Sequence, residues 1–189
     1  MTSSAKEEIL AAARRTAQAH GYGGLNFRDL AQDVGIKHAS IYYHFPTKAD
    51  LGAAVARRYW QDTAAGLEAM SAAASSPLDA LARYPETFRK ALQADNRMCL
   101  CSFMAAEYDD LPEPVKKEVQ TFSDVNIAWL SRMLSAAGEI GPEAADQRAR
   151  AIFAAIAGAQ LVARSRGDVA VYDSLIESYR SAGLLPPRS

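Results

Sequence analysis

The sequence predicts an all-α protein, and three features of its composition and patterning support this fold class. Of 189 residues, 38 are alanine, whereas only 11 are glycine and 8 are proline, so strong helix formers dominate. Apolar positions recur three and four residues apart, and no segment has the alternation of a strand. Apolar residues at 49% and charged residues at 23% are typical of a globular protein with a substantial core. We therefore expect about nine helices.

Capping residues and helix breakers give the order of these helices. In the N-terminal part, the residues that indicate helix starts and ends are Ser4 with Glu7, Gly21, Asn26, Gly35 and Thr47. The predicted helices cover about 4–20, 27–34, 37–44, 48–74, 77–93, 97–111, 113–138, 142–167 and 168–183. Pro85 is expected either to kink or to break the fifth. This order predicts an N-terminal domain at residues 1–47 and a helical domain at residues 48–189.

The same sequence excludes several classes of protein. No apolar stretch reaches the ~20 residues that span a bilayer, and no secretion signal opens the chain, so we expect a cytoplasmic protein without a membrane partner. Cysteine catalysis needs a nearby base, but all three histidines lie within the first 44 residues. A Cys-x-Cys pair without local histidine is not a zinc pattern. We therefore expect no enzyme, no metal site and no cofactor.

Charge is distributed unevenly along the chain, although its net value is −1. Residues 1–60 hold eight lysines and arginines against five acids, a balance of +3, whereas the other 129 residues hold 13 basic and 17 acidic residues, a balance of −4. A basic N-terminal part on a mildly acidic body is typical of a DNA-contacting domain joined to a second domain.

Residues 27–45, FRDLAQDVGIKHASIYYHF, have the spacing of a helix-turn-helix. Ala31 is small where two short helices cross, Gly35 supplies a left-handed turn, and Ile36 and Ile41 anchor the second helix. The outward face of that helix is polar and aromatic, and its N-terminal end fits a DNA major groove. An ordinary helical hairpin has the same spacing, so this pattern alone leaves both interpretations open.

The sequence that continues through Tyr42-Tyr43-His44-Phe45-Pro46-Thr47-Lys48 resembles the TetR family of bacterial transcription regulators, in detail over residues 9–52. The resemblance implies a double-stranded DNA operator as partner. It implies phosphate contacts from Arg28, Tyr42, His44 and Lys48, and contacts to base edges from Lys37, His38, Ala39, Ser40 and Tyr43. Family members usually have Ser or Thr where Lys37 stands. Lys37 cannot cap its helix, and it either meets a phosphate or guanine or lies in solvent.

One short recognition helix reads too few base pairs for genomic specificity, so we expect a homodimer that spaces two copies ~34 Å apart. Residues 151–164, AIFAAIAGAQLVAR, are apolar nearly all round and rich in small residues that permit close helix approach. The resemblance implies that the eighth and ninth predicted helices pair with their symmetry mates as a four-helix bundle. The inner face of the eighth helix is also expected to be core of its own subunit.

The fourth to seventh predicted helices are where the resemblance places the pocket of an unknown small-molecule inducer. Methionine and aromatic side chains adapt to irregular cavities, although such stripes are more often plain core. Asn126 interrupts an apolar stripe with an amide that needs a partner, either a ligand or a neighbouring helix. The candidate ligand-binding residues are Trp60, Phe88, Met98, Cys99, Phe103, Met104, Glu107, Phe122, Asn126 and Trp129.

Cys99 and Cys101 lie at a predicted helix start, where the helix dipole lowers the pKa of a thiol, and Arg97 is near. They are either thiol sensors or small buried hydrophobes. The whole sequence predicts a repressor that a small-molecule or thiol-reactive inducer releases from an inverted-repeat operator. The alternative is a helical adaptor whose N-terminal domain binds a protein and not DNA.

Overall fold

A computed structural model describes residues 4–138 and 140–188, which fold into ten α-helices and one 3₁₀ turn without a β-strand. The all-α prediction is confirmed. No helix within these ranges combines the length and the apolar character that crossing a membrane requires. The helices are α1 Ala5–His20, α2 Phe27–Val34, α3 His38–His44, α4 Lys48–Ala73, α5 Pro77–Arg83, α6 Glu86–Gln93, α7 Leu100–Ala106, α8 Glu113–Ala136, α9 Pro142–Arg166 and α10 Val169–Ser181, and the 3₁₀ turn is Tyr108–Asp110.

Two predicted helices differ in extent from the observed ones. The helix predicted over 77–93 is two helices, α5 and α6, because Pro85 stands between them. The helix predicted over 97–111 is shorter, Leu100–Ala106, and the 3₁₀ turn follows it. The preceding Asp95 and Asn96 have φ values of 61° and 54°, which turn the chain out of a right-handed helix before α7.

The described residues pack into two compact units. The first unit contains the residues up to Gln61 together with Leu100–Phe122, and the second contains Asp62–Cys99 together with the residues from Ser123 onward. The first unit therefore joins the three N-terminal helices to α7 and the start of α8. These units are defined by packing. The predicted domains, 1–47 and 48–189, are defined by function and stay a prediction.

Local side-chain chemistry sets the ends of the N-terminal helices as predicted. Asn26 caps α2, since its Oδ1 accepts a hydrogen bond from the Arg28 N–H at 2.8 Å. Thr47 caps α4 by accepting from the Asp50 N–H at 3.1 Å, and the Asp50 carboxylate accepts from the Thr47 N–H at 3.0 Å. Gly35 ends α2 in the left-handed conformation, with φ of 75°. These local features fix where α2 begins and ends and where α4 begins.

The helix-turn-helix is held by a small apolar core in the first unit. Leu30 and Ala31 of α2 are buried, and so are Ile41 and Phe45 at the other side of the turn. Ile36, the other predicted anchor, is half-buried. Because Ile41 points inward, its neighbours on α3 are turned toward solvent.

Buried polar side chains connect the helices of the second unit. The fully buried Gln160 of α9 accepts from the Cys99 N–H at 2.9 Å and donates to the Phe88 carbonyl at 2.7 Å. The Tyr172 hydroxyl of α10 donates to the Pro85 carbonyl at 2.7 Å. Each of these bonds satisfies a polar group that would be costly to bury alone. They hold α9 and α10 against the segments around α6.

Candidate nucleic-acid interface

The N-terminal end of α3 presents an exposed polar and aromatic surface. Lys37, His38 and Ala39 are exposed, and Ser40 is half-buried. Tyr43 exposes 85% of its surface, so its ring is open to a partner. The Lys37 side chain makes no capping hydrogen bond, as predicted. The side chains expected to face base edges therefore lie on or beside one accessible helical face.

A concave site of about 440 Å³ lies beside this surface, at the N-terminus of α2. It brings together three of the four residues predicted to bind phosphate; His44 is not part of its lining. Positive charge next to the first N–H groups of a helix favours an anion. The residues that line the site are Leu25, Asn26, Phe27, Arg28, Asp29, His38, Tyr42 and Lys48.

Aromatic packing fixes Tyr42 at the wall of the concave site. Its ring lies edge-on to Phe27 with a centroid distance of 4.9 Å, and edge-on to His38 at 5.1 Å. Edge-to-face pairs of this kind stabilise the position of the ring. His44 instead lies against Tyr43 at a centroid distance of 5.1 Å. The four side chains predicted to bind phosphate therefore lie in two neighbouring parts of the surface. Three of them line the concave site, and His44 lies against Tyr43.

Lys48 is held in a defined place at the start of α4. Its Nζ donates to the Gly23 carbonyl at 3.1 Å and lies 4.7 Å from the centroid of the Tyr22 ring. An ammonium group has three N–H donors, so Gly23 leaves donors for a bound anion. The loop between α1 and α2 therefore positions a cation in the concave site. Sequence reasoning did not include Tyr22 and Gly23 among the functional residues.

That loop is itself bound by Glu107, which was predicted to contact a ligand. Glu107 Oε2 accepts from the Tyr22 N–H at 2.6 Å, and Oε1 accepts from the Gly23 N–H at 3.1 Å. Gly21 approaches so closely that a Cβ at that position would lie 2.3 Å from Oε2. Glycine is also favoured there by a φ of 69°. Both carboxylate oxygens of Glu107 thus already have backbone partners.

The ten predicted ligand-binding residues divide between the two units. The first unit contains Trp60, Phe103, Met104, Glu107 and Phe122, and the second contains Phe88, Met98, Cys99, Asn126 and Trp129. Their role in ligand binding stays a prediction.

Several polar atoms of these residues have partners within the protein. The Trp60 indole donates to Glu118 Oε2 at 2.8 Å, and the Trp129 indole donates to Ser71 Oγ at 2.9 Å. Asn126 is fully buried, and its Oδ1 accepts from the Tyr84 hydroxyl at 2.8 Å. This hydrogen bond favours the interpretation in which the Asn126 amide has a partner within the protein and not a ligand.

A cleft in the second unit, which we call the α4–α8 cleft, is a further candidate for a ligand. Its volume is about 340 Å³, within the range of small-molecule sites. Trp129 is the predicted ligand residue in its lining, and the Trp129 ring stacks on Tyr84 at a centroid distance of 5.6 Å. The lining residues are Ala64, Leu67, Glu68, Val125, Ala128, Trp129 and Arg132.

Comparisons with known proteins relate both the N-terminal part and the whole chain to transcription regulators. A family described as "Bacterial regulatory proteins, tetR family" matches residues 9–55. The HTH-type transcriptional repressor AcnR of Corynebacterium diphtheriae is 42% identical over 52 residues, 28% of this chain and 27% of that protein. The match thus spans about a quarter of that relative's length.

Two solved structures match nearly the whole chain. A TetR transcriptional regulator from Legionella pneumophila is 31% identical, with a TM-score of 0.90, covering 96% of this chain and 98% of that one. A TetR-family regulator from Agrobacterium tumefaciens is 30% identical, with a TM-score of 0.86, covering 94% and 96%. Both structures are at least 30% identical to this chain over nearly its whole length, and the chain also has the helix-turn-helix described above. The chain therefore belongs to the TetR family of transcriptional regulators.

Proposed function

We propose that this regulator is a repressor that binds an inverted-repeat DNA operator as a homodimer. The observation that carries the proposal is the placement of Arg28, Tyr42 and Lys48 around one concave site beside the exposed end of α3. A backbone phosphate in that site meets two cations and a phenol hydroxyl, while Lys37 and His38 reach toward the bases. The similarity of the N-terminal part to a repressor supports repression over activation.

The outward face of α9 supports the dimer. Ala151, Ala154, Gly158 and Leu161 are exposed at helical spacing, and Leu161 exposes 56% of its surface. A Cβ built on Gly158 would meet no heavy atom of the described residues within 4 Å, so a second helix has room to approach. The same face on two copies forms a self-complementary contact around a two-fold axis. We propose that α9 and α10 form this interface.

We propose that a small molecule bound in the second unit releases the operator. The α4–α8 cleft combines an apolar wall at Trp129 with an ion pair between Arg132 and Glu68 at its rim. A ligand shifts the equilibrium only by binding the DNA-free conformation more tightly than the bound one. Cys99 and Cys101 are both buried, which disfavours direct attack of a reagent on either thiol and favours a non-covalent inducer.

The first test is selection of bound duplexes from a random DNA library with the ligand-free, reduced protein. We expect enrichment of an inverted repeat. The affinity for the selected duplex should fall with salt, with a log–log slope of about −0.9 per phosphate contact. A protein that enriches no duplex, or whose affinity is independent of salt, would contradict the proposal and favour the adaptor alternative.

Matched lysine variants locate the phosphate contact. Lys48→Ala should weaken binding and reduce the magnitude of the salt slope by about 0.9 for each DNA-binding domain engaged. Lys90→Ala removes the same charge from an exposed position on α6 and should leave the slope unchanged. Equal effects of the two variants would show that the cation at Lys48 acts only through net charge.

The inducer site is tested with compounds found in a screen for release of the selected duplex. Ala128→Leu fills the α4–α8 cleft and should lower the potency of such compounds without changing operator affinity. Ala136→Leu lies on the same helix, at an exposed position outside that lining, and serves as the control. Unchanged potency in Ala128→Leu would exclude the cleft as the site.

A further inference from the structure

We infer that Glu107 is a positioning residue for operator binding, because it fixes the loop that places the Lys48 ammonium in the concave site. The inference rests on the proposed function, since it requires Lys48 to meet a DNA phosphate. Glu107 lies immediately after α7 and is 59 positions from Lys48 in the chain, although both belong to the first unit. The connection between them runs through the loop that joins α1 to α2.

The first step of the connection is a carboxylate bound to two successive backbone amides. The bond from the Tyr22 N–H to Glu107 is short, at 2.6 Å, and the bond from the Gly23 N–H is 3.1 Å. Hydrogen bonds to an ionised acceptor are stronger than those to a neutral one. Glycine at position 21 leaves the space that the carboxylate occupies, since a Cβ there would lie 2.3 Å from Glu107 Oε2. Glu107 therefore stabilises the loop conformation in which these two amides face its carboxylate.

The second step connects the loop to the cation. Gly23 bonds in both directions, with its N–H to Glu107 and its carbonyl to Lys48 Nζ. The ring of the adjacent Tyr22 supports the same ammonium from a second direction. A lysine held in this way loses less side-chain entropy when it binds a phosphate than a freely rotating one. Placement of the loop thus contributes to affinity without a new contact to DNA.

The sign of the effect separates positioning from simple electrostatics. A carboxylate near a DNA-binding surface repels phosphate, so its removal should strengthen binding if charge alone matters. Positioning predicts the opposite, because the loop and Lys48 lose their fixed geometry. Asp109 provides the control, since it lies in the adjacent 3₁₀ turn, is exposed and carries the same charge.

The experiment measures the affinity of the full-length variants for the selected duplex. Glu107→Gln presents an amide donor to one of the two backbone N–H groups, and we expect it to weaken binding about fivefold. Asp109→Asn should leave the affinity for the duplex unchanged or increase it slightly. Glu107→Asp keeps the charge but is one methylene too short to hold both amides, so it should also weaken binding. Wild-type affinity in both Glu107 variants would overturn the inference.

A double-mutant cycle with Lys48→Ala excludes a general effect on the fold. Glu107→Gln should have no further effect on affinity once the lysine is absent, because its contribution passes through that side chain. An equal loss in both backgrounds would overturn the inference and assign Glu107 a merely structural role. If Lys48→Ala itself leaves affinity unchanged while wild type binds DNA, the phosphate contact of the proposed function fails instead.

Discussion

The buried carboxylate of Glu118 provides a quantitative test of how the first unit is held together. Its side chain is only 8% exposed, and it joins the start of α8 to α4. Glu118 Oε1 accepts from Arg57 Nε at 3.0 Å and from Arg57 Nη2 at 2.6 Å, while Oε2 accepts from the Trp60 indole at 2.8 Å. Glu118→Gln keeps the shape but removes the charge and turns an amide donor toward one of these donors.

The expected cost follows from the burial of each partner. A hydrogen bond to a buried charged group contributes about 1.5–3 kcal/mol, but the Arg57 side chain is 55% exposed and water recovers part of its share. The half-buried Trp60 indole is less easily resolvated. We expect a net loss of about 2 kcal/mol in the free energy of unfolding. For a chain of this size, that loss corresponds to a fall of about 4–8 °C in Tm.

The loss should depend on pH with a defined sign. Burial raises the pKa of Glu118, but the hydrogen bonds from Arg57 and Trp60 outweigh burial, so the pKa is lowered overall. A lowered carboxyl pKa stabilises the folded state above the unfolded value of about 4.3. That stabilisation disappears as the pH falls through the folded pKa. The difference in the free energy of unfolding between wild type and Glu118→Gln should therefore be largest at neutral pH and should shrink in acid.

Urea unfolding of both proteins across this pH range measures the difference. Glu113→Gln is the matched control, because Glu113 is also on α8 and its carboxylate, which pairs with Lys116, is on a side chain that is 86% exposed. Such a pair contributes at most about 1 kcal/mol. The reasoning is refuted if Glu118→Gln is as stable as the control at neutral pH, or if its deficit is the same in acid.

Three further substitutions test separate parts of the molecule. Tyr84→Phe removes the buried donor to Asn126 and should cost about 1–3 kcal/mol in urea unfolding; a change within experimental error would show that this bond contributes little. Gly35→Ala adds a Cβ in open space but at a φ of 75°, so the backbone alone should cost about 1 kcal/mol in thermal unfolding, and no destabilisation would contradict the left-handed turn. Gly158→Glu should convert the proposed dimer to monomers in analytical ultracentrifugation, whereas Gly66→Glu, at another open helical glycine, should not. An intact Gly158→Glu dimer would place the interface elsewhere.

Most helices and their ends could be predicted because the interactions that set them are local, whereas the bounds of α7 could not. Asn26 and Thr47 bond to N–H groups two and three residues away, and Gly35 acts through its own backbone angles. The break at Pro85 follows from a missing N–H donor in the same way. The surface of α3 was predictable for a related reason, since burial of Ile41 determines which of its neighbours face solvent.

The partners of individual side chains could not be predicted, because they are distant in sequence. Glu107 and Tyr22 are 85 positions apart, and Trp60 and Glu118 are 58 apart. An acid or an indole in a helical stripe has the same sequence pattern whether its partner is a ligand or another helix. The prediction of Trp60 and Glu107 as ligand residues rested on the family resemblance, which places the pocket among these helices, and on the residue types found there. Their observed hydrogen bonds make any ligand contact there a competition with existing protein contacts.

The position of Lys48 shows why this distinction matters for DNA recognition. From the sequence, this lysine is only a cation at a helix start, and any cation there would suffice. In the structure, the Gly23 carbonyl and the Tyr22 ring confine its ammonium, so phosphate affinity depends on residues that do not touch DNA in the proposed complex. Pre-organisation of this kind lowers the entropic cost of binding and leaves the charge unchanged. A neutralised Glu107 that weakens binding therefore distinguishes placement from charge, since a purely electrostatic surface would gain affinity from the same substitution.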